Sequence, residues 1–246
     1  MLTHPTLDKI EQLRLFGMAK AFREQFQNQQ ATTLSFEERL GLLIDREVSD
    51  RENRRLATRL RTAKLRISAV VEDIDFRQAR GLDKQLVLSL ASNAWITEHH
   101  HILITGPTGV GKSYLACALA HKACRDGHVV LYHRLPQLLE DLAVSHHDGR
   151  YRRMMKGLPK AELLVLDDFG LASLTTGQQR DLLEIIEDRY DRRSTLVTSQ
   201  LPVKHWHDML ADPTLADAIL DRLVHNAYKI ELKGESMRKS KSKINR

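Results

Sequence analysis

The chain has few cysteines: of 246 residues, only Cys117 and Cys124 are thiols. They lie seven apart in one helical pattern, a spacing that suits neither a disulfide nor a zinc knuckle. They read as buried structural thiols in a reducing cytosol. No apolar run approaches the roughly 20 residues of a membrane span, which excludes a membrane helix. Residues 1–11 set His4, Asp8, Lys9 and Glu11 among few apolar positions, which is not a signal-peptide pattern. A cytoplasmic protein is expected. Zinc-finger and basic-zipper patterns are missing, which argues against reading of base sequence. His99, His100 and His101 are adjacent, and a strand would point neighbours to opposite faces, so they suggest a polar strand entry rather than a metal site.

What is present is a hydrophobic fraction of 42%, enough to bury a real core, and a formal charge of +6 that is unevenly spread. Residues 1–66 carry a net +4 and residues 233–246 a net +5, while 67–232 carry −3. A mildly acidic middle between basic ends points to a polyanion met by the termini, away from any site in the middle.

That middle contains Ile102-Leu-Ile leading into Gly106-Pro107-Thr108-Gly109-Val110-Gly111-Lys112-Ser113, followed by Tyr114 and the apolar helix pattern Leu115, Ala116, Ala118, Leu119, Ala120. The spacing is G-x-x-x-x-G-K-[ST] in a strand–loop–helix setting. Glycines let successive backbone N–H groups point at phosphate oxygens, and the helix N-terminus adds partial positive charge. Lys112 is expected to reach the β- and γ-phosphates of ATP, and the Ser113 hydroxyl to ligate Mg2+.

Leu163-Leu-Val-Leu166 is a continuous apolar run, as in a buried parallel strand, and it ends in Asp167-Asp168. A strand-terminal acid downstream of a phosphate loop is the metal-side carboxylate, so Asp167 is expected on Mg2+ with Ser113. The second acid, Asp168, can orient or deprotonate the attacking water. The next strand, Thr195–Thr198, ends in Ser199-Gln200, either of which could contact the γ-phosphate or the water. Ile74-Asp-Phe-Arg77 and a helix over Leu82–Trp95 are candidate walls for an adenine pocket. A small-molecule kinase fits poorly, because it leaves the acid pair and the basic ends unexplained.

The N-terminal region reads as all helical. Apolar positions from Leu7 to Phe26 have a helical period, with Gly17 expected to interrupt or kink it. Ser35 and Glu38 form a capping-box signature for a helix over about 36–48. Beyond Ser49, Arg51, Arg54, Arg55 and Arg59 fall on one helical face over 50–66. Asp50 and Glu52 are the only acids in 50–66, so mutual neutralisation is not expected. Such a stripe can track a DNA phosphate backbone, and Lys239 and Lys241 of the basic tail can do the same. Arg150, Arg152, Arg153 and Lys156 could touch nucleic acid or be solvated.

Phosphate loop, acidic strand end, polar strand end, a late arginine and then Gly234-Glu-Ser-Met-Arg238, in that order, resemble the AAA+ ATPases of the replication-initiator and helicase-loader clade. Within it the chain resembles the IstB-like transposition helper ATPases of insertion sequences. The supporting stretches are Ser35–Arg66, Gly106–Ser113, Leu163–Gly170, Ala216–Tyr228 and Leu232–Lys239, nearly the whole chain with the order between them. The resemblance implies an α/β fold, an AAA+ P-loop domain with a parallel five-stranded sheet between helices, a small all-helical N-terminal domain and a reduced C-terminal lid. Expected boundaries are 1–68, 69–238 and a flexible basic tail 239–246. By position, Arg222 matches the arginine finger of a site shared between subunits, and Arg238 the second sensor. Asp168 stands where many relatives have Glu, and the first sensor falls to Ser199 or Gln200. The implied function is Mg2+-dependent ATP hydrolysis by a homo-oligomer (ring, spiral or filament) on double-stranded DNA that recruits or activates a cognate transposase. The alternative is a DnaC-like replicative helicase loader.

Overall fold

The computed structural model describes residues 5–28 and 33–237. By their internal contacts the residues group into two units, 1–58 and 59–246, so the division falls within a helix and earlier than the expected 68/69.

The first unit is helical: α1 (Pro5–Gln12), α2 (Phe16–Gln27) and the greater part of α3 (Phe36–Ala63). The break between α1 and α2 sits at residues 13–15, with Arg14 in the left-handed region at φ 59°. Gly17, the expected kink, instead lies inside α2 at a close helix crossing. A Cβ there would come 2.8 Å from the Arg46 carbonyl oxygen and from the Glu47 Cα, so only hydrogen fits. The Gly17 amide donates to Glu47 Oε2 at 2.7 Å and the Met18 amide at 3.1 Å, tying α2 to α3. α3 begins with the expected capping box: the Ser35 amide donates to Glu38 Oε2 at 2.8 Å, and the Glu38 amide to Ser35 Oγ at 3.2 Å. Ser49 does not interrupt it; the helix runs unbroken for 28 residues.

The second unit is α/β. After α4 (Lys84–Leu90) and α5 (Ala94–Thr97) come β1 (His101–Thr105), α6 (Lys112–Arg125), β2 (Val130–Arg134), α7 (Leu135–Asp148), α8 (Tyr151–Gly157), β3 (Leu163–Phe169), α9 (Thr176–Arg189), β4 (Ser194–Ser199), α10 (Pro213–Val224) and β5 (Ala227–Glu231). The helix expected after Pro202 is two short 3-10 turns around Trp206. All five strands pair in parallel in the order β2-β3-β4-β1-β5. β1 and β4 are buried throughout; β1 accordingly centres on the apolar Ile102-Leu-Ile, whereas β4 flanks Leu196 and Val197 with buried hydroxyls at Ser194, Thr195, Thr198 and Ser199. Phe169 at the end of β3 packs against Trp206 with the rings tilted by 36° and their centroids 4.4 Å apart, and both are buried. Arg189 is buried too. It donates to the carbonyls of Leu158 and Ala161, both at 2.9 Å, and to that of Ser194. Burial pulls its pKa down to about 9. No helical lid follows β5 among the described residues. The carboxyl ends of β1, β2, β3 and β4 lie side by side, the edge at which parallel sheets place their ligands.

Candidate active site

The loop after β1 is shaped by what packs against it. A Cβ on Gly106 would meet the Leu232 carbonyl oxygen at 2.1 Å, and one on Gly109 the Ser236 Oγ at 2.1 Å. Both glycines have positive φ, 144° and 86°. The segment beyond β5 is held there by hydrogen bonds from the Leu232 amide to the Thr105 carbonyl at 2.7 Å and from the Met237 amide to the Gly109 carbonyl at 3.0 Å. From the other side, the buried Arg80 donates to the Val110 carbonyl at 3.2 Å and to the Asp75 carbonyl at 3.1 Å. Burial lowers its pKa. Arg80 belongs to no motif, and nothing in the sequence singled it out.

Lys112 opens α6 and is buried; its ammonium donates to the carbonyls of Gly106 and Pro107 at 2.7 and 2.8 Å, across the mouth of the loop. Ser113 Oγ donates to Asp167 Oδ1 at 2.9 Å, so the expected metal pair is in contact. Asp167 is fully buried and also accepts from the Tyr132 hydroxyl at 2.5 Å and from the Thr198 hydroxyl. Burial, then the Asp167 carboxylate, push the Tyr132 pKa well up, so the phenol stays a donor.

Between Leu166 and Phe169 the register against β4 shifts: Leu166 faces Val197, but Phe169 faces Ser199. β3 therefore carries one extra residue, a bulge, and Asp168 takes it up at φ 66°. Both acids thus reach the same end of the sheet. The Asp168 amide donates to Thr198 Oγ1 at 3.2 Å, and its carboxylate accepts from Arg134 Nε at 3.0 Å. Thr198 therefore touches both acids, a role the sequence reading did not give it. Ser199, an expected catalytic residue, does not reach the cavity. Its buried hydroxyl donates to the Phe169 carbonyl at 2.8 Å and accepts from the Leu201 amide at 3.1 Å. Gln200 does reach it and accepts from Thr108 Oγ1 at 2.8 Å.

These groups line a cavity of about 500 Å³. Its phosphate end holds Lys112, Ser113, Arg66, Arg134 and Asp168; its far end holds Asp73, Asp75, Gln78, Tyr114 and Met237. Of the expected adenine walls, the stretch around Asp75 contributes, while α4 and α5 do not. The site fits a nucleoside triphosphate, and the oxygen pair of Ser113 and Asp167 suits Mg2+, a hard cation that keeps several waters. Among the described residues no group of three or more His, Cys, Asp or Glu is arranged to hold a metal ion.

Arg222 is not in this cavity; it projects from α10 and pairs with Glu187 of α9. Arg238, Lys239 and Lys241 lie outside the described residues. In the arginine stripe, the expectation that no acid neutralises it is corrected by Glu47, one turn upstream. Arg51 Nε lies 2.6 Å from Glu47 Oε1, and Arg54 Nη2 3.5 Å from the same oxygen. Burial opposes charge on Glu47, but Arg51 and the Met18 and Gly17 amides outweigh it and hold the carboxyl below its usual range. Arg54 also sits over the Phe16 ring, 5.5 Å from its centre. Arg59, in the second unit, donates to the Cys124 carbonyl at 2.8 Å. Arg55 is exposed.

Comparison with known proteins gives one family model, IstB-like ATP binding protein, matching residues 8–245. The chain is similar to the insertion-sequence ATP-binding protein y4pL of Sinorhizobium fredii, 56% identical over 240 residues that cover 98% of each chain. In fold it is similar to DnaI, at a TM-score of 0.60, 22% identity and coverage of 67% of this chain and 91% of that one. The DnaC helicase loader matches at a TM-score of 0.54, 22% identity and coverage of 61% and 87%.

Proposed function

The chain belongs to the IstB-like ATP-binding family, and from that premise we propose that it hydrolyses ATP with Mg2+ at the cavity above, as an oligomer on double-stranded DNA that recruits a cognate transposase. The observation that carries the catalytic part is the buried Asp167 carboxylate, bonded to Ser113 at the head of α6. Lys112, backed by the loop amides, offsets the charge of the β- and γ-phosphates. Ser113 and Asp167 would hold Mg2+, which would supply charge neutralisation for the departing γ-phosphoryl group. Asp168 orients the attacking water and takes its proton while the bond from the γ-phosphorus to the bridging oxygen breaks, leaving ADP and phosphate. Thr198 fixes both acids, and Gln200, which lines the cavity beside Thr108, meets the γ-phosphate. Arg222 completes the site of a neighbouring protomer, and Arg238 contacts nucleotide in its own.

ATP shared between protomers favours the assembled state, and hydrolysis releases it, a two-state switch biased by one phosphate. DNA contact by Arg51, Arg54, Arg55, Arg59, Lys239 and Lys241 rests on charge. The relatives' names support the insertion-sequence role. The likeness to DnaC keeps a helicase-loader reading in view.

The test is to size the protein with ATP, with ADP and without nucleotide, each with and without duplex DNA, followed by capture on a transposase and on a replicative helicase. Growth of the complex only with ATP and DNA, and transposase capture, are expected. Equal DNA coating by single copies without nucleotide would overturn the proposal, and capture by the helicase alone would favour the loader.

A further inference from the structure

Arg66 enters the cavity from an unexpected direction. α3 ends at Ala63, and Lys64 turns the chain at φ 52°. The backbone of Arg66 and Ile67 then runs against the Cys117 thiol of α6, the helix that the phosphate loop opens. This turn delivers the guanidinium to the phosphate end of the cavity, where Nη1 lies 3.7 Å from Asp167 Oδ2 and 3.7 Å from Asp168 Oδ2. Burial opposes its charge, but Tyr132 and the two carboxylates outweigh that and raise its pKa.

Arg134 and Arg66 therefore meet the acids, Lys112 lines the same cavity, and the three cations are held differently. Lys112 is buried and bonded to loop carbonyls, and Arg134 makes a 3.0 Å hydrogen bond to Asp168. Arg66 stands at ion-pair distance without a short bond to either acid, its other partner being the Tyr132 hydroxyl, and its side chain is as exposed as that of Arg134. Such a contact is Coulombic and readily exchanged. Once Asp167 serves a metal and Asp168 a water, Arg66 is the cation most easily released toward a new anion beside them. A γ-phosphate offers that anion with more charge than a carboxylate and with oxygens spaced for the planar guanidinium fork. A diphosphate does not bring it.

We propose that Arg66 reads the terminal phosphate from within the same protomer, so that the cavity tells ATP from ADP through it, and that this contact ties the nucleotide to the last turn of α3. The inference rests on the nucleotide reading of the cavity. Arg66 is a specificity-determining residue; the chemistry stays with Lys112, Asp167 and Asp168.

Calorimetric titration of the full chain with a non-hydrolysable ATP analogue and with ADP, in Mg2+, tests it. Arg66→Ala should weaken the analogue about tenfold or more and ADP by less than about twofold, with Arg66→Lys recovering part of the loss. ADP falling in step with the analogue would overturn the proposal, as would no change in either. ADP binding reports that the variant is folded. A wild-type chain that binds neither nucleotide would instead remove the nucleotide reading itself. Hydrogen exchange over residues 59–66 supplies the second arm. The analogue should slow exchange there more than ADP does in the wild type, and Arg66→Ala should erase the difference. If the difference persists in the variant, the tie to α3 is wrong.

Discussion

Arg222 and Glu187 form an ion pair within one protomer, guanidinium Nε 2.5 Å from carboxylate Oε2. Arg222 also donates to the Ala218 carbonyl at 2.9 Å and lies 5.8 Å from the centre of the Tyr190 ring. A finger for a neighbour's site must leave this carboxylate, and a partly exposed pair costs little to break, about 1 kcal/mol or less. Glu187→Ala should thus leave hydrolysis at or above wild type. Arg222→Ala should lower it by on the order of 10³ without weakening ATP binding. Mixing Arg222→Ala with Lys112→Ala should restore activity, because each supplies what the other lacks. A mixture as inactive as its parts would rule out a shared site.

Thr198 and Ser199 are neighbours with opposite duties. Thr198→Val keeps the shape but removes the hydroxyl that joins both acids, and kcat should fall about 10- to 100-fold with nucleotide affinity intact. Ser199→Ala removes a hydroxyl committed to backbone, so it should cost about 1 kcal/mol of stability and little activity. Steady-state kinetics beside thermal melting separates the two. The reverse ranking would return the sensor role to Ser199.

His101 gives a pH dependence with a defined sign. It is buried at the start of β1, and its Nδ1 accepts from the Thr195 amide at 3.1 Å. Burial, then the nearby Arg189 charge, lower its pKa from 6.5 to about 4. As pH falls the unfolded chain takes the proton first. Stability from this residue is therefore whole above about pH 6.5 and is lost on the way down to pH 4, by up to about 3 kcal/mol. Chemical denaturation across that range should show the loss. His101→Asn, which keeps an acceptor but does not titrate, should flatten it.

The stripe on α3 calls for a narrower DNA test than removing every arginine. Stripping Arg51 and Arg54 would leave the buried Glu47 carboxylate without its cations, and any loss of binding could then be unfolding. Arg55→Ala avoids this. It should weaken duplex binding across all sequences and reduce the salt slope by about one. Unchanged affinity and slope would mark Arg55 as ordinary surface.

Local patterns carried much of this molecule. The phosphate loop, the apolar strand into Asp167-Asp168 and the Ser35 cap are short-range signals, and each appears where its spacing put it. Relations that depend on a distant partner were not legible. Gly17 reads as a kink in isolation, yet Arg46 and Glu47 explain it. Arg80 and Arg66 have no motif and gain meaning only when the loop folds beside them. The patterns over 36–48 and 50–66 read as two segments on either side of Ser49, but a polar residue on an exposed helix face interrupts nothing, and they form one helix. The choice between Ser199 and Gln200 depends on where β4 ends: Ser199, its last residue, bonds the Phe169 carbonyl, while Gln200 just beyond it lines the cavity; the bulge in β3 that brings Thr198 to both acids leaves no trace in composition.

That bulge also bears on which acid can stand at 168. A left-handed backbone is tolerated by Asp far more readily than by longer side chains, because a short polar group can bond locally. The carboxylate there is thus one methylene nearer the main chain than a glutamate would be, and any water it addresses must sit correspondingly close to the strand. Asp168→Glu would lengthen the arm but ask the chain to hold a costlier conformation. The reach of the proposed base is in this sense dictated by an inserted peptide unit in β3.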